Sequence, residues 1–133
     1  MGDHTVFLEE RVEALPRGVI YAYVHLEQKK FWQLKYTRRA FRRAIDKNIE
    51  LKVIAENNAT VPNYLVVNKI IDAQQLSSKI WSYSFIIFRE NESWIDRHDA
   101  LIFKEKNWAM ELNSAKVKVR PYVYAFEDML GQA

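Results

Sequence analysis

The chain of 133 residues contains no cysteine. That absence removes disulfides, thiolate nucleophiles and every cysteine-ligated zinc site. Glycine is nearly as scarce, with only Gly2, Gly18 and Gly131. Phosphate-cradling loops and nucleophile elbows use glycines because the backbone must turn with positive φ or approach its ligand closely. With none between residues 19 and 130, Walker-type, Rossmann-type and hydrolase-elbow readings fail. The three prolines, Pro16, Pro62 and Pro121, are scattered and mark no linker. No apolar run approaches the length of a membrane span, and the first eighteen residues carry acids where a secretory signal needs a basic start. A soluble cytoplasmic protein with no membrane association is expected. His4, His25 and His98 lack neighbours at metal-ligand spacing, so neither a metal nor a cofactor is expected.

What the chain has is hydrophobic material and an uneven charge. Hydrophobic residues make up 49%, including four Trp, seven Tyr and seven Phe, enough for one globular domain over 1–133. Eight of the twenty basic residues fall between Lys29 and Lys47, where Asp46 is the only acid. A net charge of +3 is therefore a +7 segment on a body of −4. Such polarity favours an anionic partner, nucleic acid first or an acidic protein.

The elements follow from periodicity. Val19 to Leu26 is rich in β-branched and aromatic residues and follows a Pro-Arg-Gly turn signal, which predicts a strand. Glu27 to Lys30 then reads as a turn and Phe31 to Tyr36 as the second strand of a hairpin. Thr37 suits an N-cap, and the spacing predicts a helix over 37–49. It gathers Ala40, Phe41, Ala44 and Ile45 on one side and spreads Arg38, Arg39, Arg42, Arg43 and Lys47 over the other. Leu51 to Glu56, Tyr64 to Lys69 and Ser82 to Arg89 read as strands, and a short helix fits 72–80. From Ser93, a capping residue with Asp96 at the third helical position, apolar residues recur at spacings of three and four, which predicts a helix over 93–112. His98 and Glu105 fall on its core-facing stripe. Ala115 to Ala125 alternates with period two and reads as a strand, with Lys116, Lys118, Arg120, Tyr122 and Tyr124 on one side. The expected class is α+β, a mainly antiparallel sheet with two or three packed helices.

Three functions compete. Four arginines on one helical face can track a phosphate backbone, because the guanidinium fork donates two parallel hydrogen bonds and stays charged. The 116–124 strand offers an auxiliary surface, where Lys116, Lys118 and Arg120 neutralise phosphates while Tyr122 or Tyr124 stacks on an unpaired base. A non-catalytic nucleic-acid-binding protein is the first expectation. A solvated helix face and a half-exposed strand produce the same patterns without any ligand.

The second reading rests on a partial resemblance. Gly18-Val19-Ile20-Tyr21, the arginines that follow and a later run from Glu105 to Ser114 resemble in part the GIY-YIG nucleases. Those enzymes place tyrosines on a hairpin, an arginine on the first helix and a metal-binding glutamate on a later one. The resemblance implies a metal-assisted phosphodiesterase using Tyr21, Arg42 or Arg43, and Glu105. It covers a few short stretches, and Phe31-Trp32-Gln33 stands where the family has Tyr and Gly. On its own chemistry, Glu105 on a core-facing stripe calls for a basic partner or a cation. The third reading is a protein-interaction module whose basic face docks an acidic partner or whose aromatic strands pair with a second copy as a homodimer.

Overall fold

The computed structural model describes residues 2–15, 17–90, 98–112 and 116–131. Helix α1 spans Gly2–Ala14 and strand β1 Val19–Val24. A 3₁₀ turn, Leu26–Gln28, leads into the short helix α2, Lys29–Gln33, and then α3, Lys35–Asp46. Strands β2 (Glu50–Glu56) and β3 (Lys69–Ile71) follow. Two 3₁₀ turns, Ala73–Gln75 and Lys79–Ser82, precede β4 (Phe85–Arg89), β5 (His98–Phe103), β6 (Ala109–Leu112) and α4 (Lys116–Gly131).

The six strands form one sheet in the order β3-β2-β1-β4-β5-β6. β1 runs parallel to β2, and β2 to β3, while the β1–β4, β4–β5 and β5–β6 pairs are antiparallel. The α+β class holds, with a mixed sheet. Helices cover both faces, and this explains why the central strands β1 and β4 are apolar up to Arg89. Along β1, Ile20, Ala22 and Val24 enter the core shared with α1, α2 and α3, while Val19, Tyr21 and Tyr23 enter the core under α4.

Gly18 explains how the chain enters β1. Its φ is +145°, and a Cβ there would lie 2.0 Å from the Arg89 carbonyl oxygen, so both the dihedral and the close approach to β4 require glycine. At the other end of the first crossover, Asn48 closes α3 with φ of 60°. The Ile49 amide donates to Ala44 O and the Asn48 amide to Ile45 O, both at 3.0 Å, the pairing of a Schellman motif.

Several elements differ from the sequence expectation. Phe31 to Gln33 is helical rather than a strand, and Phe31 and Trp32 are buried in the first core. α3 begins two residues before Thr37, which lies inside the helix with its hydroxyl buried and unpartnered among the described residues. Ile45 is 47% exposed, not inward. The strand expected from Tyr64 forms only at Lys69, because Tyr64 and Leu65 turn into the first core. The helix expected over 72–80 is instead two 3₁₀ turns.

The largest exchange is at the C-terminal end. Residues 98–112 form the β5–β6 hairpin instead of a helix; Ser93 to Asp96 lie outside the described residues. Ala100 and Ile102 serve one core and Leu101 and Phe103 the other, so the apolar run of a doubly covered strand imitated a helical stripe. The expected strand from Lys116 to Tyr124 belongs to α4. Val119, Val123, Phe126 and Met129 form its inward stripe, which runs past the alternating stretch. Pro121 interrupts the α4 hydrogen bonding on an exposed position.

Candidate functional site

α3 is held by Phe41, Ala40 and Ala44, all at most 2% exposed, which fixes the direction of its outer face. α1 packs beside it, and the two helices exchange charge. Arg39 Nη2 lies 2.9 Å from Glu9 Oε1, and Arg43 Nε donates to Glu13 Oε1 at 2.6 Å. That bond draws the Glu13 carboxyl below its ordinary pKa and raises that of the Arg43 guanidinium. Lys47 Nζ donates to the backbone oxygens of Val12 and Glu13 at 2.8 and 2.9 Å, where cations favour the C-terminal end of α1. Three of the six cations between Lys35 and Lys47 are thus engaged by α1.

Arg38 and Arg42 make no ion pair or hydrogen bond among the described residues. Both are exposed and stand one helical turn apart, with Lys35 exposed on the first turn. Tyr36 is 51% exposed, and the Arg39 guanidinium lies 4.9 Å from its ring centroid. Below Arg42 is a depression of about 260 Å³ lined by Arg42, Ile45, Asp46 and Tyr64. This side of α3 presents two unpaired guanidinium forks, whereas Tyr36 lies on the flank toward α1 with Arg39.

The expected auxiliary surface is elsewhere. Lys118, Arg120 and Tyr124 are exposed and Tyr122 half-buried on α4, and Lys116 begins that helix. Lys104 Nζ donates to the Tyr122 hydroxyl at 3.0 Å, and the Tyr122 ring packs edge-on against Phe85. α3 and α4 cover opposite faces of the sheet, so the two basic surfaces do not form one platform.

The trio implied by the nuclease resemblance is not brought together. Tyr21 is buried in the core under α4, whereas Arg42 and Arg43 lie on the outer side of α3 across the sheet. Glu105 is exposed in the β5–β6 turn rather than core-facing, and its backbone oxygen accepts from Gln28 Nε2 at 3.2 Å. Among the described residues, no group of three or more His, Asp and Glu gathers in a metal-binding arrangement.

Two polar clusters were not foreseen. Arg89 Nη1 donates to the Tyr21 hydroxyl at 2.8 Å and to Glu127 Oε2 at 2.7 Å, and Tyr21 donates to the same carboxylate oxygen at 2.6 Å. Burial, and then the hydrogen bond to Glu127, push the Tyr21 hydroxyl up to about 12 against the opposing pull of Arg89. An arginine ending the apolar run Phe85 to Phe88 was the available signal. Near the carboxyl end of β1, Ser84 Oγ accepts from the His25 amide and from Trp32 Nε1, and the Ser84 amide donates to Gln28 Oε1. His25 Nδ1 accepts from the Glu27 amide at 3.0 Å, and burial lowers the imidazole pKa.

No helix among the described residues is long and apolar enough to cross a membrane. No protein-family model matches the chain, and no curated protein matches it in sequence.

Proposed function

We propose that the protein binds nucleic acid, without catalysis, through the outer face of α3. The observation that carries this reading is the division of the arginines. Arg39 and Arg43 are paired to Glu9 and Glu13, while Arg38 and Arg42 point outward from the same rigid helix without a partner among the described residues. Unpaired guanidinium groups suit phosphate, because they lose no intramolecular bond on binding, and the helix sets their spacing. Lys118 and Arg120 belong to α4 on the opposite face of the sheet and serve at most a separate contact.

The test is fluorescence anisotropy with single- and double-stranded DNA and RNA at two salt concentrations. Affinity is expected to fall steeply with salt, because each neutralised phosphate releases counterions. Absence of binding to every probe at about 50 mM salt, a condition that strengthens phosphate contacts, rejects the proposal.

A further inference from the structure

Where the first 3₁₀ turn and α2 meet the β5–β6 turn, a groove of about 480 Å³ opens. This is within the range of small-molecule sites, and it shares no residue with the outer face of α3. Its floor is apolar: Phe31 and Phe103 meet edge to face with centroids 5.0 Å apart, and Leu26 stands 44% exposed beside them. Its rim is cationic. Lys29 and Lys30 come from α2 and Lys106 from the opposite turn, all three exposed, and Glu27 is the only acid among the lining residues.

The walls are tied together by a buried residue. Gln28, 2% exposed, donates to Glu105 O in one wall while its Oε1 accepts from the Ser84 amide at the start of β4. A groove braced in this way keeps its shape without a ligand, which limits the ordering cost of binding. Lys104, the other cation of that turn, is occupied by Tyr122 and does not contribute.

We infer that this groove binds a small amphipathic anion, an aliphatic chain over Leu26 and Phe103 with a carboxylate or phosphate head among Lys29, Lys30 and Lys106. Charge complementarity sets the sign of the head, since three ammonium groups face one carboxylate. The apolar floor sets the body, because covering Leu26 removes apolar surface from water. A fully hydrated polyanion leaves that floor unused.

Calorimetric titration of the full chain with decanoate, decyl phosphate, decanol and decyltrimethylammonium, each below its micelle concentration, tests the inference and separates the two heads. One molecule of decanoate or decyl phosphate is expected to bind, with decanol weaker by about tenfold or more and the cationic analogue weaker still. K29E/K30E/K106E and, separately, L26D should each reduce decanoate affinity by about tenfold or more. All four substitutions are at exposed positions, and circular dichroism checks that the fold is kept. Decanoate binding no tighter than decanol, or undiminished in the charge-reversed variant, overturns the inference. So do amide shifts in nuclear magnetic resonance that fall outside 26–31 and 103–107.

Discussion

Arg89 Nη1 donates to Glu127 Oε2 at 2.7 Å, joining the last residue of β4 to α4 from a guanidinium side chain that is 4% exposed. Glu127 is 36% exposed, so water shares the carboxylate and weakens the pair below a fully buried one. Glu127→Gln is expected to lower unfolding free energy by about 1–2 kcal/mol in urea titration, mainly by leaving Arg89 undercompensated. Tyr21 shares both partners, so R89M/E127M should recover only part of that loss. Adding Tyr21→Phe, which removes the stranded hydroxyl, should recover more. Equal stability of the double and triple variants would show that Tyr21 is not part of the cluster's energetics.

Gly18→Ala should be among the most damaging single-methyl additions in the chain. The new Cβ meets the Arg89 and Glu90 carbonyl oxygens at 2.0 and 2.6 Å, both backbone atoms that cannot swing away. A loss of more than about 2 kcal/mol is expected from strain and displacement of the β1–β4 junction. A melting temperature equal to that of the parent would mean that this junction is not formed as described.

His25 and Tyr21 are among the groups that limit stability at opposite ends of the pH scale, with buried Tyr23 and Tyr64 adding to the alkaline side. His25 is lowered from 6.5 by burial, against the opposing fields of Glu56 and Glu27. The native state therefore binds fewer protons than the unfolded chain, and its contribution is present above 6.5 and lost as pH falls through the folded value. Tyr21 is raised from 10.0 to about 12, so its contribution is complete below 10 and lost as pH rises toward 12. Denaturant midpoints measured across pH should decline on both sides, and Tyr21→Phe should flatten part of the alkaline limb. An alkaline limb of unchanged steepness in that variant would contradict the assignment.

The elements legible in the sequence are those with a local signature. β1, β2, β4 and α3 announce themselves by bounded β-branched runs or by a single basic face opposite Ala40, Phe41 and Ala44. Two-sided burial hid β5. In β5, Ala100 to Phe103 has no polar face to reveal period two, because each residue serves one of the two cores. In α4, valines alternate with Lys118 and Arg120, and the inward stripe emerges only when Phe126 and Met129 are included. The candidate interface was legible as a basic helix face. Its division between outward and α1-bound cations was not, because Glu9 and Glu13 lie 30 residues away from Arg39 and Arg43. The groove braced by Gln28 likewise depends on the 77-residue separation between Gln28 and Glu105.

The central claim is that Arg38 and Arg42, not Arg39 and Arg43, contact the nucleic-acid backbone. The most direct measurement compares R38Q/R42Q with R39Q/R43Q in anisotropy titrations over a range of salt. Losing two duplex phosphate contacts should reduce the slope of log affinity against log salt by about 2 in R38Q/R42Q. R39Q/R43Q should change it by less than half as much, because Glu9 and Glu13 already occupy those groups. Equal slopes in the two variants, or a slope in R38Q/R42Q identical to that of the parent, would contradict the account.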